Sequence, residues 1–105
     1  MDDKLLSDAF QLFLKECPAH AKAWLAAVRG LGEASALDEK TATLAYLAVL
    51  AALRLDAGVP FHAAHARQAG ATRDEVISAI LVGLPAAGNA VTHALPAALQ
   101  AYDRA

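Results

Sequence analysis

His62 and His65 are the residues whose type and spacing come nearest to a chemical arrangement. They lie three apart, so on a helix they share one face, and Asp56 precedes them within the run Asp56-Ala57-Gly58-Val59-Pro60. Four readings compete here. In the first, the histidines are structural: a neutral imidazole needs one donor and one acceptor partner, and backbone carbonyls or a subunit interface supply them. In the second, His62 is a general acid/base, because imidazole titrates near pH 6.5, within reach of small shifts. Its place after a Gly-Pro break, near a helix N-terminus, lowers its pKa and favours the neutral base. In the third, the HxxH pair begins a metal site. It supplies two ligands where three or more are needed, and His93 and Asp56 complete the set only by tertiary proximity. In the fourth, Cys17, the only cysteine, is a thiolate favoured by the helix start at Pro18; the alternative is a small apolar filler. The resulting expectation is His62 as the catalytic residue, with His65, Asp56, Phe61, Thr43 and His93 as binding residues. Phe61, beside His62, walls a small pocket. No metal and no cofactor is assigned.

The elements that must position these residues read as helices. No stretch alternates apolar and polar residues long enough for a strand, and alanine, the best helix former, recurs throughout. An all-α domain of about six helices is expected. The first runs from about Leu5 to Lys15, with Leu6, Phe10, Phe13 and Leu14 on one stripe. Pro18 suits the first turn of a second helix, which carries Trp24, Leu25, Val28 and Leu31 and stops near Gly30 or Gly32. The third starts at Asp38, a good N-cap, and runs to about Leu55. It is apolar on nearly every side from Leu44 to Leu53, which predicts the buried centre of the fold. Pro60 opens a fourth helix to Ala69, closed by Gly70 in a left-handed cap. Thr72 and Glu75 form a capping box opening a fifth helix to about Leu84. Pro85 to Asn89 is a turn or kink, and a last helix spans about Ala90 to Arg104, kinked or divided at Pro96. Asp38, Glu39, Arg73, Asp74 and Glu75 read as caps and first-turn charges. Trp24, Phe10, Phe13, Phe61, Tyr46 and Tyr102 read most simply as core or interface residues.

The 105 residues amount to a single domain, residues 1–105. A domain of this length buries roughly 65% of its unfolded surface. Yet 57% of the residues are apolar and the mean hydropathy is +0.36, more apolar material than one small core needs. Subunit interfaces are the natural place for the excess, so a homo-oligomer is expected. Nine basic and eleven acidic residues give a net charge of -2 with no basic stripe, which argues against nucleic acid. One cysteine allows no intrachain disulfide and suits a reducing, cytoplasmic setting. The acidic start Met1-Asp2-Asp3-Lys4 is no signal peptide. Thr41 to Leu53 is uncharged over thirteen residues, too short to span a bilayer. Val76 to Tyr102 lacks charge over twenty-seven, but contains Pro85, Gly88, Asn89, Thr92, His93, Pro96 and Gln100, a mixture that suits a buried helical hairpin better than a membrane span.

Residues 38–102 resemble the carboxymuconolactone decarboxylase family, which includes the alkylhydroperoxidase D-like proteins. The carrying segments are LDEKTATLAYLAVLAAL at Leu37–Leu53 and FHAAHARQAGATRDEVISAILVGLPAAG at Phe61–Gly88. Within them a histidine, His62, stands eight residues before Gly70-Ala71-Thr72, followed by an acidic capping helix. NAVTHALPAALQAYD resembles the family's closing helix, and the likeness covers about two thirds of the chain. The resemblance implies an all-α fold in trimers or hexamers, with sites near subunit interfaces. Its peroxidase branch works through a CxxC pair, two histidines and a glutamate. Those cysteine positions fall on Leu55 and Gly58, the intervening histidine on Ala57 and the glutamate on Thr43; His62 alone is retained. The resemblance therefore implies a member without the redox cysteine pair. The decarboxylase branch carries Glu-Leu-x-x-His where this chain has Gly58-Val59-Pro60-Phe61-His62, and works on a carboxylated lactone. Arg54 and Arg67 lie close enough in sequence to meet a carboxylate, though their spacing does not demand it. What remains is a small organic molecule bound near His62 with acid/base chemistry, or a non-catalytic homo-oligomeric binding or interaction module. Dithiol peroxidase activity is not expected.

Overall fold

The computed structural model describes residues 3–105. Among them are seven α-helices, three short 3₁₀ segments and no strand. The all-α expectation holds, and the six anticipated helices are all present.

Each helix starts where a local signal sets it. Helix α1, Asp8–Glu16, is capped by Ser7, whose hydroxyl accepts from the Phe10 N–H at 3.1 Å. Helix α2, Pro18–Ala34, has its proline in the first turn, where the missing N–H costs nothing. Helix α3, Glu39–Ala52, is capped by Asp38, which accepts from the Thr41 N–H at 2.8 Å. Helix α4, Val59–Gln68, follows a 3₁₀ turn at Asp56–Gly58 and begins one residue before Pro60. Helix α5, Arg73–Leu81, opens with a complete capping box: Thr72 Oγ1 accepts from Glu75 N–H at 3.1 Å, and the Glu75 carboxylate accepts from Thr72 N–H at 2.8 Å.

The helix ends depart more from expectation. Helix α2 does not stop at Gly30 or Gly32 but continues to Ala34. A mid-helix glycine costs only about 1 kcal/mol, and both sit with nothing within 4 Å of where a Cβ would be. Helix α3 ends at Ala52 rather than near Leu55. There Arg54 takes φ 60°, the Arg54 N–H donates to Ala51 O at 3.3 Å and the Leu55 N–H to Leu50 O at 2.9 Å. This is a Schellman closure built on an arginine where glycine is usual. Helix α4 closes in the same way, but with glycine: Gly70 has φ 97°, its N–H donates to Arg67 O at 3.0 Å, and that of Ala71 donates to Ala66 O at 2.9 Å. The expected turn after α5 contains a single-turn helix α6, Leu84–Ala87. The expected last helix is divided, into a 3₁₀ segment Asn89–Ala94 and helix α7, Leu95–Arg104, with Pro96 in the first turn of α7.

The body of the fold is α3 to α7. Helix α4 packs along α7, and α3 lies against α4 and α5. Leu47, Leu50, Val59, Ala63, Val76 and Ile80 form its buried centre, with Val91 and Ala98 closing one side. Alanines at the contacts let the helices come close. Tyr102 fastens α7 to the α4–α5 turn: its hydroxyl donates to Ala71 O at 2.8 Å, while Arg67 donates to Tyr102 O at 2.6 Å and lies over its ring. Arg73 grips Asp103 through two contacts, 2.9 and 3.2 Å.

Helix α3 is central on only one face. Thr43, Leu47, Leu50 and Ala51 are buried, while Tyr46, Val49 and Leu53 are exposed. Helices α1 and α2 pair with each other and touch the body only sparsely; Ala21 is the one buried residue of α2. The stripe expected on α2 therefore stands open, with Trp24, Leu25, Val28 and Leu31 all exposed. No helix of the described residues is long and apolar enough to cross a membrane.

Candidate functional site

The short link from Ser35 to Asp38 folds the α1–α2 hairpin back over the junction of α3 and α4. Between hairpin and body lies a cleft of about 390 Å³, with Leu6, Phe10, Trp24, Leu25 and Val28 on the hairpin side and Tyr46, Leu50, Ala57, Gly58, Phe61 and His62 on the body side. This volume falls in the range of small-molecule pockets, about 300–1,000 Å³. A larger groove of about 720 Å³ lies between α1 and α2, with Ser7 and His20 as its polar residues. It is open to solvent and holds no second titratable group beside His20, so the cleft at His62 is the better candidate for chemistry.

His62 sits in the first turn of α4, held by rings rather than by hydrogen bonds. The Tyr46 ring lies 4.4 Å from the imidazole, tilted by 36°, and the Phe61 ring meets it edge-on at 5.2 Å. Among the described residues His62 has no hydrogen-bond partner. The pKa of His62 is lowered, first by burial and second by the nearby His65, so the imidazole is a neutral base at pH 7. The sequence points instead to the helix N-terminus as the cause; in the structure burial comes first, and the rings of Tyr46 and Phe61 lie against the imidazole. The close start of α4 against α3 does not depend on glycine at position 58: a Cβ there would rest in ordinary contact, 3.5 Å from Leu50 and 4.0 Å from His62.

Of the residues expected at the site, Phe61 and His62 line the cleft; His65, Asp56, Thr43 and His93 do not. His65 turns to the outer edge of α3, where its Nε2 meets Glu39 Oε1 at 2.9 Å. Thr43 is buried and donates to the Glu39 carbonyl at 2.8 Å. Position 43, to which the resemblance assigns a glutamate, thus carries no carboxylate, while Glu39 one turn earlier pairs with the second histidine. Asp56 faces Arg54 at 3.7 Å, and its Oδ1 is buried with no hydrogen-bond partner. His93 is exposed on the 3₁₀ segment before α7. Cys17 is a half-buried junction residue between α1 and α2 and does not line the cleft. Among the described residues no three of His, Cys, Asp and Glu gather as metal ligands.

The sequence places Tyr46 and Trp24 most simply in the core or an interface, and the structure puts both, with Leu50, in the cleft wall. Tyr46 and Leu50 are four apart on α3, so they present one face. That spacing, on the helix preceding the histidine, is the signal that finds them. Trp24 offers no local signal, because its nearness to His62 comes from the return of the hairpin.

Residues 18–100 match the model of the carboxymuconolactone decarboxylase family. No curated protein and no solved structure matches the chain.

Proposed function

Since the chain belongs to the carboxymuconolactone decarboxylase family, we propose that it binds a small organic molecule in the cleft between the α1–α2 hairpin and the α3–α4 body, with His62 as its acid/base group. The observation that carries this is a neutral imidazole, free of protein hydrogen bonds, in the wall of an apolar cavity. Such a nitrogen is free to take a proton from a bound molecule and return it, and the rings of Tyr46 and Phe61 hold its plane. The chain has one cysteine, and Leu55 and Gly58 stand where a CxxC pair is expected, so an intrachain dithiol has no part in this reading.

Positioned acid/base catalysis contributes about 10²–10⁴-fold in rate. A metabolite screen against the purified protein, followed by assay of the hits, is expected to give a turnover that falls by that factor in His62→Gln, with the helical circular dichroism unchanged. His62→Ala that binds every hit as the parent does would remove His62 from the site.

A second reading has its own observation. Leu31, Leu53 and Val82 are 72%, 63% and 68% exposed, on three different elements, and extended apolar faces mark association surfaces. On this reading the chain is a self-associating module in which the cleft is incidental. A screen in which no hit shifts Trp24 or His62, from a protein that self-associates, favours it over binding in the cleft.

A further inference from the structure

We propose that the cleft selects uncharged, ring-sized molecules bearing a single hydrogen-bonding group, and rejects carboxylates; this deepens the binding role given to His62 and rests on it. Among the described residues, no Lys, Arg, Asp or Glu lines the cleft. Its polar side chains are those of Ser7, Tyr46 and His62, and the Ser7 oxygen already accepts from the Phe10 N–H. The two arginines near enough in sequence to meet an anion are engaged elsewhere. Arg54 faces Asp56, and Arg67 donates to the Tyr102 carbonyl with its guanidinium over the Tyr102 ring.

A carboxylate entering this cleft leaves water for a wall without a cation, and an unpaired buried charge carries a heavy desolvation penalty. His62 offers little compensation, since burial disfavours its charged form. A neutral ring meets the opposite conditions. Phe10, Trp24, Tyr46 and Phe61 offer aromatic faces, which reward planar apolar contact, and one hydroxyl or carbonyl on the ligand is enough to engage the imidazole. The chemistry of the wall thus departs from the carboxylated lactone in the family's name.

The test uses two probes with one frame, para-cresol and para-toluate, which differ in hydroxyl against carboxylate. Both are titrated at neutral pH into the whole protein, following the indole N–H of Trp24, the only tryptophan, and the His62 imidazole by NMR. Cresol is expected to bind at least tenfold tighter. Toluate binding as tightly or more tightly, with shifts at Trp24 and His62, overturns the charge selection and leaves the cleft as a binding site. Titrations in which neither probe moves either residue overturn both. Val28→Lys places an ammonium on the exposed hairpin side of the wall, where folding tolerates it, and is expected to narrow the cresol preference at least tenfold; an unchanged preference overturns the charge argument.

Discussion

His62 makes the stability of the protein depend on pH, and the sign follows from its burial. The folded-state pKa lies below the ordinary value of 6.5, so between the two the unfolded chain binds more protons than the folded one. Stability is then full above pH 6.5 and falls as acidification passes through the folded-state pKa, levelling off beneath it. Urea unfolding from pH 8 to pH 4.5 is expected to show that loss, and His62→Gln to flatten it over this window. An unaltered profile in the variant would place the acid sensitivity elsewhere. Two other residues report on backbone strain. Gly70 and Arg54 close α4 and α3 with the same pair of hydrogen bonds and φ values of 97° and 60°. A side chain in left-handed backbone costs roughly 1–2 kcal/mol, whereas a glycine loses about 0.5–1 kcal/mol to its own chain entropy. Gly70→Ala is therefore expected to destabilise by about 1–2 kcal/mol, and Arg54→Gly to be neutral or to stabilise by up to about 1 kcal/mol, since the 3.7 Å contact of Arg54 with Asp56 is exposed and surface pairs are worth little. Denaturant midpoints measure both.

At the scale of the elements, the starts marked by a cap or a proline were legible, and of the ends the one that Gly70 closes. Asp38, Thr72, Pro18 and Pro60 act through contacts within one turn, so their roles are written in adjacent residues. The capping box is the sharpest case, and Thr72→Ala is expected to cost about 1 kcal/mol, readable as a lower unfolding midpoint with the site unchanged. Ends depend on what the backbone does next. Nothing local marks Arg54 as the residue that turns left-handed, while Gly30 and Gly32, which look like stops, are carried through by the helix around them. The site divides along the same line. His62 and Phe61 are adjacent in sequence and were found; Tyr46 reaches His62 through the packing of α3 on α4, and Trp24 only through the return of the hairpin, a tertiary event without a local signature. Conversely His65, on the same helix face by spacing, is drawn to Glu39 at the rim, because a polar partner at 2.9 Å outweighs an apolar cleft.

At the scale of the molecule, the chain exposes more apolar surface than a lone domain keeps. The outer face of α3, the stripe of α2 and Val82 after α5 are all uncovered, in agreement with the apolar excess of the composition. Self-association is the expected outcome. Light scattering should give a multiple of the 10.9 kDa chain mass, and aspartate at Leu31 and Val82 together should lower it while helicity is kept. A parent protein that scatters as a single chain at micromolar concentration would refute this expectation.

Leu5, Leu6, Ser7 and Phe10 lie in the cleft wall, yet all precede the segment shared with the family, residues 18–100. The imidazole is thus carried by the common framework, while part of the surface that judges shape comes from outside it. On the proposed binding role, the choice of one molecule over another is to be sought in Leu5 to Phe10 as much as around His62.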